Sequence, residues 1–233
     1  MTDYVLVHGA WYGAWCWGRV RHLLIARGHD VFTPTLSGLA DRSHLLSRNV
    51  GLETHIADVA NLLIWQDLRN VVLVGHSYGG VVVRHIADRM PDRIRSLVYL
   101  DAFVPDDGKA LLDYLPDRGE AVRELAVGQG DGWKVPPIPA IGFGVNEADR
   151  SWVDRQTTMH PLLTLETPAR ISGECDKVAN IGYILAHGFD SSPFQQFHAI
   201  AGARRWWQED LPCGHIAMLD APESVAELLL RRT

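Results

Sequence analysis

One serine of the chain stands in a context suited to nucleophilic chemistry. Ser77 is the middle residue of Gly-His-Ser-Tyr-Gly at 75–79, which follows the apolar run 71–74 and precedes a segment with apolar residues at helical spacing. A strand, a sharp turn and a helix with serine at the apex form the G-x-S-x-G arrangement, which exposes the serine hydroxyl at the strand end. The flanking glycines let strand and helix approach closely. We therefore predict that Ser77 is a nucleophile and not merely a helix-capping serine.

A serine hydroxyl is a poor nucleophile at neutral pH and needs a base beside it. We expect His215 to be this base. It lies C-terminal to the serine, in the loop 211–215 between the last predicted strand and the last predicted helix, and such loops face the ligand crevice of an open α/β sheet. Four other histidines fall in helix or loop patterns and are predicted to lie at the surface: His22, His29, His44 and His55.

The base in turn needs a carboxylate that orients the imidazole and stabilises its charged form. Asp190 is the favoured candidate, because it follows the predicted strand 181–186 and precedes His215. Asp101 is the rival, because it ends the strand that follows the serine. Asp176 and Glu174 remain open as further alternatives.

Acyl transfer also needs N–H donors for the negative charge that develops on the carbonyl oxygen. The backbone N–H of Tyr78, directly after the serine, is one expected donor. The loop after the first strand should supply the second, and Ala10 is the expected residue because Gly9 lets the backbone turn there. Trp11 and Tyr12 adjoin this loop and are predicted to line an apolar substrate pocket.

The elements that must position these groups alternate between strands and helices, which predicts an α/β fold with a mostly parallel sheet of about six strands, covered by helices on both faces. Predicted strands span 4–7, 30–33, 70–74 and 94–100, with weaker candidates at 183–186 and 205–208. Predicted helices span 17–27, 53–66, the segment from the serine to Pro91, and 222–230. Residues 104–177 are rich in proline and glycine and show no clear strand. We interpret them as a small helical cap inserted into a core of residues 1–103 and 178–233.

Composition excludes several classes of function. The net charge of −6 over 233 residues provides no basic surface for nucleic acid, and no apolar run is long enough for a membrane span. Metal-ligand spacings are missing, so no metal site is expected. The three cysteines are widely spaced, and no signal segment precedes the first strand, which favours free thiols in a cytoplasmic protein.

The chain resembles the small esterase branch of the α/β-hydrolase superfamily, which holds plant methylesterases, hydroxynitrile lyases and bacterial carboxylesterases of the pyrethroid-hydrolysing type. The resemblance is carried by Val-His-Gly-Ala-Trp-Tyr-Gly-Ala-Trp-Cys-Trp at 7–17, by Val-Leu-Val-Gly-His-Ser-Tyr-Gly-Gly at 72–80, and by Gly-His at 214–215. Segments 99–105 and 190–194 are similar to the bacterial esterases. The match is weak through much of 104–177, the segment that corresponds to the family's cap.

The resemblance implies Ser77 as nucleophile, Asp190 as acid, His215 as base, and Ala10 and Tyr78 as oxyanion donors, without a cofactor. Two departures argue against lyase activity. Hydroxynitrile lyases of this branch carry threonine where Gly9 stands and lysine where Ile216 stands.

We therefore expect a serine hydrolase that cleaves carboxylic esters of small apolar or aromatic substrates through an acyl-enzyme. Two alternatives remain open, a lactonase or carbon–carbon bond hydrolase with the same triad and a slow or non-catalytic ligand-binding receptor on the same fold. The expected partner is a small-molecule ester, with a homodimer as the assembly left open.

Overall fold

The computed structural model describes residues 1–189 and 193–233, and its centre is a six-stranded parallel sheet. The strands are β1 (Asp3–Val7), β2 (Asp30–Phe32), β3 (Val71–His76), β4 (Ile94–Leu100), β7 (Asn180–Ala186) and β8 (Trp207–Leu211). They lie side by side in the order β2-β1-β3-β4-β7-β8. The central strands are fully buried or nearly so, because uninterrupted Val, Ile and Leu runs can be covered on both faces.

Some of the helices were predicted from the sequence and others were not. They are α1 (Gly18–Ala26), α2 (Leu52–Trp65), α3 (Gly79–Arg89), α4 (Pro116–Gln129), α5 (Glu147–Gln156), α6 (Leu162–Glu166), α7 (Gln195–Ala203), α8 (Ala217–Asp220) and α9 (Pro222–Arg232). The apolar stripes of α2 and α9 pack on the core as their spacing predicts. Among the described residues, no helix combines the length and the apolar character needed to cross a bilayer.

Residues 104–177, named the cap segment here, differ from the expectation in one respect. Two short antiparallel strands, β5 (Lys134–Val135) and β6 (His160–Pro161), pair within them, although the sequence showed no strand there. Each strand has only two residues, too few for an alternating pattern to be read from sequence. Helices α4, α5 and α6 and three single 3-10 turns make up most of the remaining ordered structure of the cap segment.

The strand order creates a crevice at one edge of the sheet. Strand β1 pairs with β2 on one side and with β3 on the other, so the connections leave β1 and β3 in opposite directions. Ligands of open α/β sheets bind outside the carboxyl ends of strands at such a switch point. The loop with Ala10 and the turn with Ser77 both follow strands at this point.

Candidate active site

A cavity of about 380 Å³ lies at the predicted crevice, and both Ser77 and His215 line it. Its walls combine the core with the cap segment. Apart from Ser77, His215 and Arg118, the described lining residues are apolar or aromatic: Ala10, Trp11, Tyr78, Phe103, Leu111, Leu112, Leu115, Ala121, Val122, Leu125, Ile138, Gly142, Phe143, Leu165, Phe189, Pro193 and Phe194. The lining is therefore apolar apart from these three side chains, of which Ser77 and His215 belong to the core and Arg118 to the cap segment.

Ser77 sits at a strained turn between β3 and α3. Its φ of +53° is left-handed, which is costly for a residue with a side chain. A Cβ at Gly79 would lie 2.7 Å from the carbonyl oxygens of Val7 and His8, so only glycine lets α3 begin this close to the end of β1. The turn is held by Ser77 itself, whose carbonyl accepts the N–H of Phe103 at 3.1 Å. Ser77, at the apex of this turn, lines the cavity.

His215 makes its side-chain hydrogen bond to Asp101. Its Nδ1–H donates to Asp101 Oδ2 at 2.6 Å, and both side chains are almost completely buried. The other oxygen of this carboxyl accepts the N–H of Ala186 at 3.1 Å, which ties Asp101 to the end of β7. Burial lowers the pKa of His215 and so keeps the imidazole neutral near pH 7, with Nε2 as the free base. Burial also raises the pKa of Asp101, and the hydrogen bond from the N–H of Ala186 opposes this shift.

The ring of His215 is held by aromatic neighbours and its backbone by two hydrogen bonds. Phe194 stacks on the imidazole with ring centroids 4.8 Å apart. His76 donates its Nε2–H to the carbonyl of His215 at 2.9 Å, and the N–H of His215 donates to the carbonyl of Phe143 at 2.9 Å. Within the described residues no hydrogen bond joins Ser77 Oγ to His215, although both residues line the cavity.

The loop after β1 runs directly beside the serine. A Cβ at Gly9 would lie 2.8 Å from Ser77 Cβ, so glycine is required for this approach. His8 accepts the N–H of Leu36 on Nε2 at 3.1 Å, and its Nδ1–H donates to the carbonyl of Gly9 at 2.8 Å. Because the C=O and N–H of one trans peptide point in opposite directions, this bond turns the N–H of Ala10 away from His8. Ala10 lines the cavity.

The predicted pocket residues separate in the structure. Trp11 lines the cavity, whereas Tyr12 is not among its described lining residues. Tyr12 is buried behind it, stacked on Trp15 at 5.1 Å and against Phe143. Tyr12 as a pocket residue thus gains no support from the cavity.

The four carboxylates considered for the acid also separate. Asp101 contacts His215, and Asp190 lies outside the described residues. Asp176 pairs instead with Arg84 and Arg204, and Glu174 pairs with Lys177.

One histidine was wrongly predicted. His55 is fully buried and not at the surface, because its Nε2–H donates to the carbonyl of Ser37 at 2.9 Å and its Nδ1 accepts the hydroxyl of Tyr78 at 2.8 Å. Its position was readable from spacing, since residue 55 falls on the same apolar stripe of α2 as Ile56 and Val59.

Other residues of the site were not singled out from sequence. His76 and Arg118 belong to this group, and so does His160 of β6, whose Nδ1 accepts the N–H of Trp11 at 3.3 Å. His76 adjoins Ser77 and could have been found from that position, whereas Arg118 and His160 lie in a segment without periodic pattern.

Comparison with known proteins identifies relatives that cover nearly all or part of the chain. The sequence model of the alpha/beta hydrolase family matches residues 4–228. A carbendazim hydrolyzing esterase of Nocardioides sp. (strain SG-4G) is 42% identical over 241 aligned positions, which cover 98% of this chain and 98% of that protein. Methylesterase 2 of Arabidopsis thaliana is 40% identical over 106 residues, which cover 44% of this chain and 40% of that protein.

A solved structure extends the similarity to the fold. An extracellular alpha/beta-hydrolase from a Paenibacillus species, described as sharing homology with tobacco salicylic acid binding protein 2, superposes with a TM-score of 0.86. The two sequences are 23% identical, and the superposition covers 100% of this chain and 99% of the Paenibacillus chain.

Proposed function

Because this chain belongs to the alpha/beta hydrolase family and its relatives include esterases, we propose that it is a serine esterase in which Ser77, His215 and Asp101 act together. The observation that carries the proposal is the short bond from His215 Nδ1 to Asp101 Oδ2, beside a cavity that Ser77 and His215 share. A neutral imidazole oriented in this way keeps Nε2 free to take a proton from the serine.

The reaction then proceeds in two halves. His215 removes the proton of the Ser77 hydroxyl as its oxygen attacks the ester carbonyl, and the resulting oxyanion accepts the N–H groups of Ala10 and Tyr78. His215 next gives the proton to the leaving alcohol, which departs and leaves an acyl group on Ser77. Water, activated by His215, attacks the acyl carbonyl, and the serine regains its proton as the acid is released.

Asp101 is proposed here as the acid, in place of Asp190 as the favoured residue of the sequence prediction. Its Oδ2 is within 2.6 Å of the ring nitrogen that must be protonated. Its φ of +43° and the bond from its N–H to the carbonyl of Ile184, at 2.7 Å, support a carboxylate fixed by the backbone. Such fixation suits a group that must hold an imidazole in one tautomer.

The substrate class follows from the cavity walls. Aromatic rings of Trp11, Phe103 and Phe143 favour a flat apolar group, and a volume of about 380 Å³ limits its size. The relative named as a carbendazim hydrolyzing esterase aligns with 98% of this chain and supports ester hydrolysis as the reaction class.

Lyase chemistry is disfavoured by the same geometry. Hydroxynitrile lyases of the similar branch carry threonine at the position of Gly9. A threonine there would place its Cβ 2.8 Å from Ser77 Cβ unless the loop moved. The alternative of lactone or carbon–carbon cleavage uses the same triad, so the test must include such substrates beside esters.

The test combines turnover with labelling of the serine. Ser77→Ala should lose at least about a thousandfold in kcat on p-nitrophenyl acetate and on aryl esters, with an unchanged circular dichroism spectrum and melting temperature. A fluorophosphonate should label the parent stoichiometrically and Ser77→Ala not at all. Ser47→Ala, at an exposed serine, is the matched control and should behave like the parent. Hydrolysis at the parental rate by Ser77→Ala would refute the proposal, and parental labelling without turnover of any ester or lactone would favour a binding protein.

A further inference from the structure

Trp11, the residue after the proposed oxyanion donor Ala10, is held in a left-handed conformation by the cap segment. Its φ is +65°. Its backbone N–H donates to His160 Nδ1 at 3.3 Å, and its carbonyl accepts the N–H of Thr158 at 3.0 Å. Its indole Nε1–H donates to the carbonyl of Val135 at 3.1 Å. All three partners lie in residues 104–177, so a core loop owes its conformation to contacts from the cap segment.

The tautomer of His160 is fixed by its other nitrogen. Thr164 donates its hydroxyl proton to the carbonyl of Pro161 at 2.8 Å, so its oxygen accepts the Nε2–H of His160 at 2.7 Å. Nδ1 is therefore unprotonated and can accept the N–H of Trp11. The side chain is fully buried, and burial lowers its pKa well below the usual value, so the ring stays neutral.

The same ring contacts the second proposed donor residue. The His160 and Tyr78 rings meet edge to face with centroids 5.0 Å apart, and the Tyr78 hydroxyl is fixed in turn by His55. The loop is thus held from two sides, since His8 binds the carbonyl of Gly9 on the core side and His160 binds the N–H of Trp11 on the cap side. The Ala10 N–H belongs to the first anchored peptide, Gly9–Ala10, and the second anchored peptide, Ala10–Trp11, follows it directly.

From these contacts we infer that His160 is a positioning residue of the oxyanion hole, through which the cap segment aims the N–H of Ala10 at the reacting carbonyl. The inference rests on the proposed function. It makes the cap segment part of the catalytic apparatus and not only a wall of the pocket. An oxyanion donor displaced by a few tenths of an ångström stabilises the transition state less while substrate binding is nearly retained.

Two substitutions at position 160 separate this role from mere packing. In His160→Asn the amide oxygen can occupy the place of Nδ1 and accept the N–H of Trp11. In His160→Gln the amide reaches the place of Nε2 and Thr164, but the acceptor facing Trp11 is lost. We expect His160→Gln to lower kcat roughly ten- to a hundredfold with KM within about threefold, and His160→Asn to recover most of that loss. Rates are normalised to active sites titrated with a fluorophosphonate.

The affinity for an inhibitor that forms an oxyanion should change only if His160 positions the donor, and not if it merely stabilises the fold. An aryl trifluoromethyl ketone adds the serine oxygen and forms an oxyanion, whereas the matching aryl methyl ketone binds largely without addition. The ratio of their inhibition constants should fall in His160→Gln in proportion to kcat and should recover in His160→Asn.

Each outcome bears on one hypothesis. If His160→Gln and His160→Asn kept the kcat and the inhibitor ratio of the parent and differed from it only in a lower melting temperature, the positioning role would be overturned. Two results would instead overturn the proposed function itself. One is ester hydrolysis by Ser77→Ala at the rate of the parent, and the other is a trifluoromethyl ketone that binds the parent no more tightly than the methyl ketone.

Discussion

The sheet core and the cap segment both line the cavity, yet they contribute in different ways. The core supplies Ala10, Ser77, Asp101 and His215, each just past the carboxyl end of a parallel strand or in the loop beyond it. Their positions follow from backbone register and tight turns. The cap segment supplies mostly apolar side chains from its helices and turns.

The difference suggests a division of labour. Changes in the core should reduce turnover of every substrate, because they disturb the groups that we propose to act on the scissile bond itself. Changes in the cap segment should alter the order of preference among substrates, because they reshape walls that touch the remainder of the molecule. His160 is the inferred exception, since it lies in the cap segment and contacts the loop of the core.

The largest effect is expected at the core carboxylate. Asp101→Asn keeps the shape of the side chain, but its amide can present an N–H to Nδ1 of His215 and so favour the wrong tautomer. We expect kcat to fall roughly a thousand- to ten-thousandfold on all esters. The matched variant is Asp190→Asn, for which we expect at most a few-fold change. The reverse ranking in steady-state kinetics would return the acid to Asp190, the favoured residue of the sequence prediction.

A pair of glycines sharpens the contrast between the two regions. Gly9→Ala in the core places a Cβ 2.8 Å from Ser77 Cβ and should lower kcat about ten- to a hundredfold through displacement of the loop. Gly128→Ala in α4 of the cap segment meets no atom within 4 Å and should raise stability by about 0.5–1 kcal/mol, as expected for an exposed helical position. Kinetics and urea unfolding of both variants would measure this. A fully active Gly9→Ala would mean that the loop tolerates movement and that its close approach to the serine is not needed.

The buried histidines near the boundary between the regions predict a loss of stability in mild acid. Burial lowers the pKa of His8 and of His55 to about 4, while in the unfolded chain each titrates near 6.5. The unfolded state therefore binds more protons between pH 6.5 and 4. The contribution of each buried histidine to the free energy of unfolding is fully present above this window and falls as the pH drops through it. At pH 5 the loss is about 1–2 kcal/mol for each histidine.

Urea unfolding at pH 7.5 and pH 5 measures this slope. His55→Gln should reduce the difference between the two pH values, and His44→Gln, at an exposed site, should leave it as in the parent. A parent that is equally stable at both pH values would contradict neutral burial of these rings.

The sequence was a good guide where backbone pattern decides and a poor one where packing decides. Strand β4 and the helix after Ser77 were predicted nearly to their bounds, since apolar runs and glycines are local signals. The last strand was placed at 205–208 but spans Trp207–Leu211, because its residues Gln208 to Asp210 are polar and partly exposed at the sheet edge. Asp101 and Asp190 follow adjacent strands and could not be separated by order along the chain. The contact between His160 and Trp11 joins positions 149 residues apart, which no local pattern encodes.

The smallest expected effect lies in the cap segment and concerns Arg118. It is the one charged side chain among the described residues that line the cavity, and it is exposed. Its guanidinium offers a partner to a carboxylate or carbonyl at the far end of a substrate. We expect Arg118→Ala to lower kcat/KM roughly two- to fivefold for an aryl ester that carries a carboxylate, and to leave a matched neutral ester unaffected. Arg118→Lys keeps the charge and should keep the preference, and 0.5 M salt should erase it in the parent, because exposed ion pairs are screened. If Arg118→Ala slowed both esters equally, the residue would act on the reaction centre, and the division between core and cap segment would fail at this position.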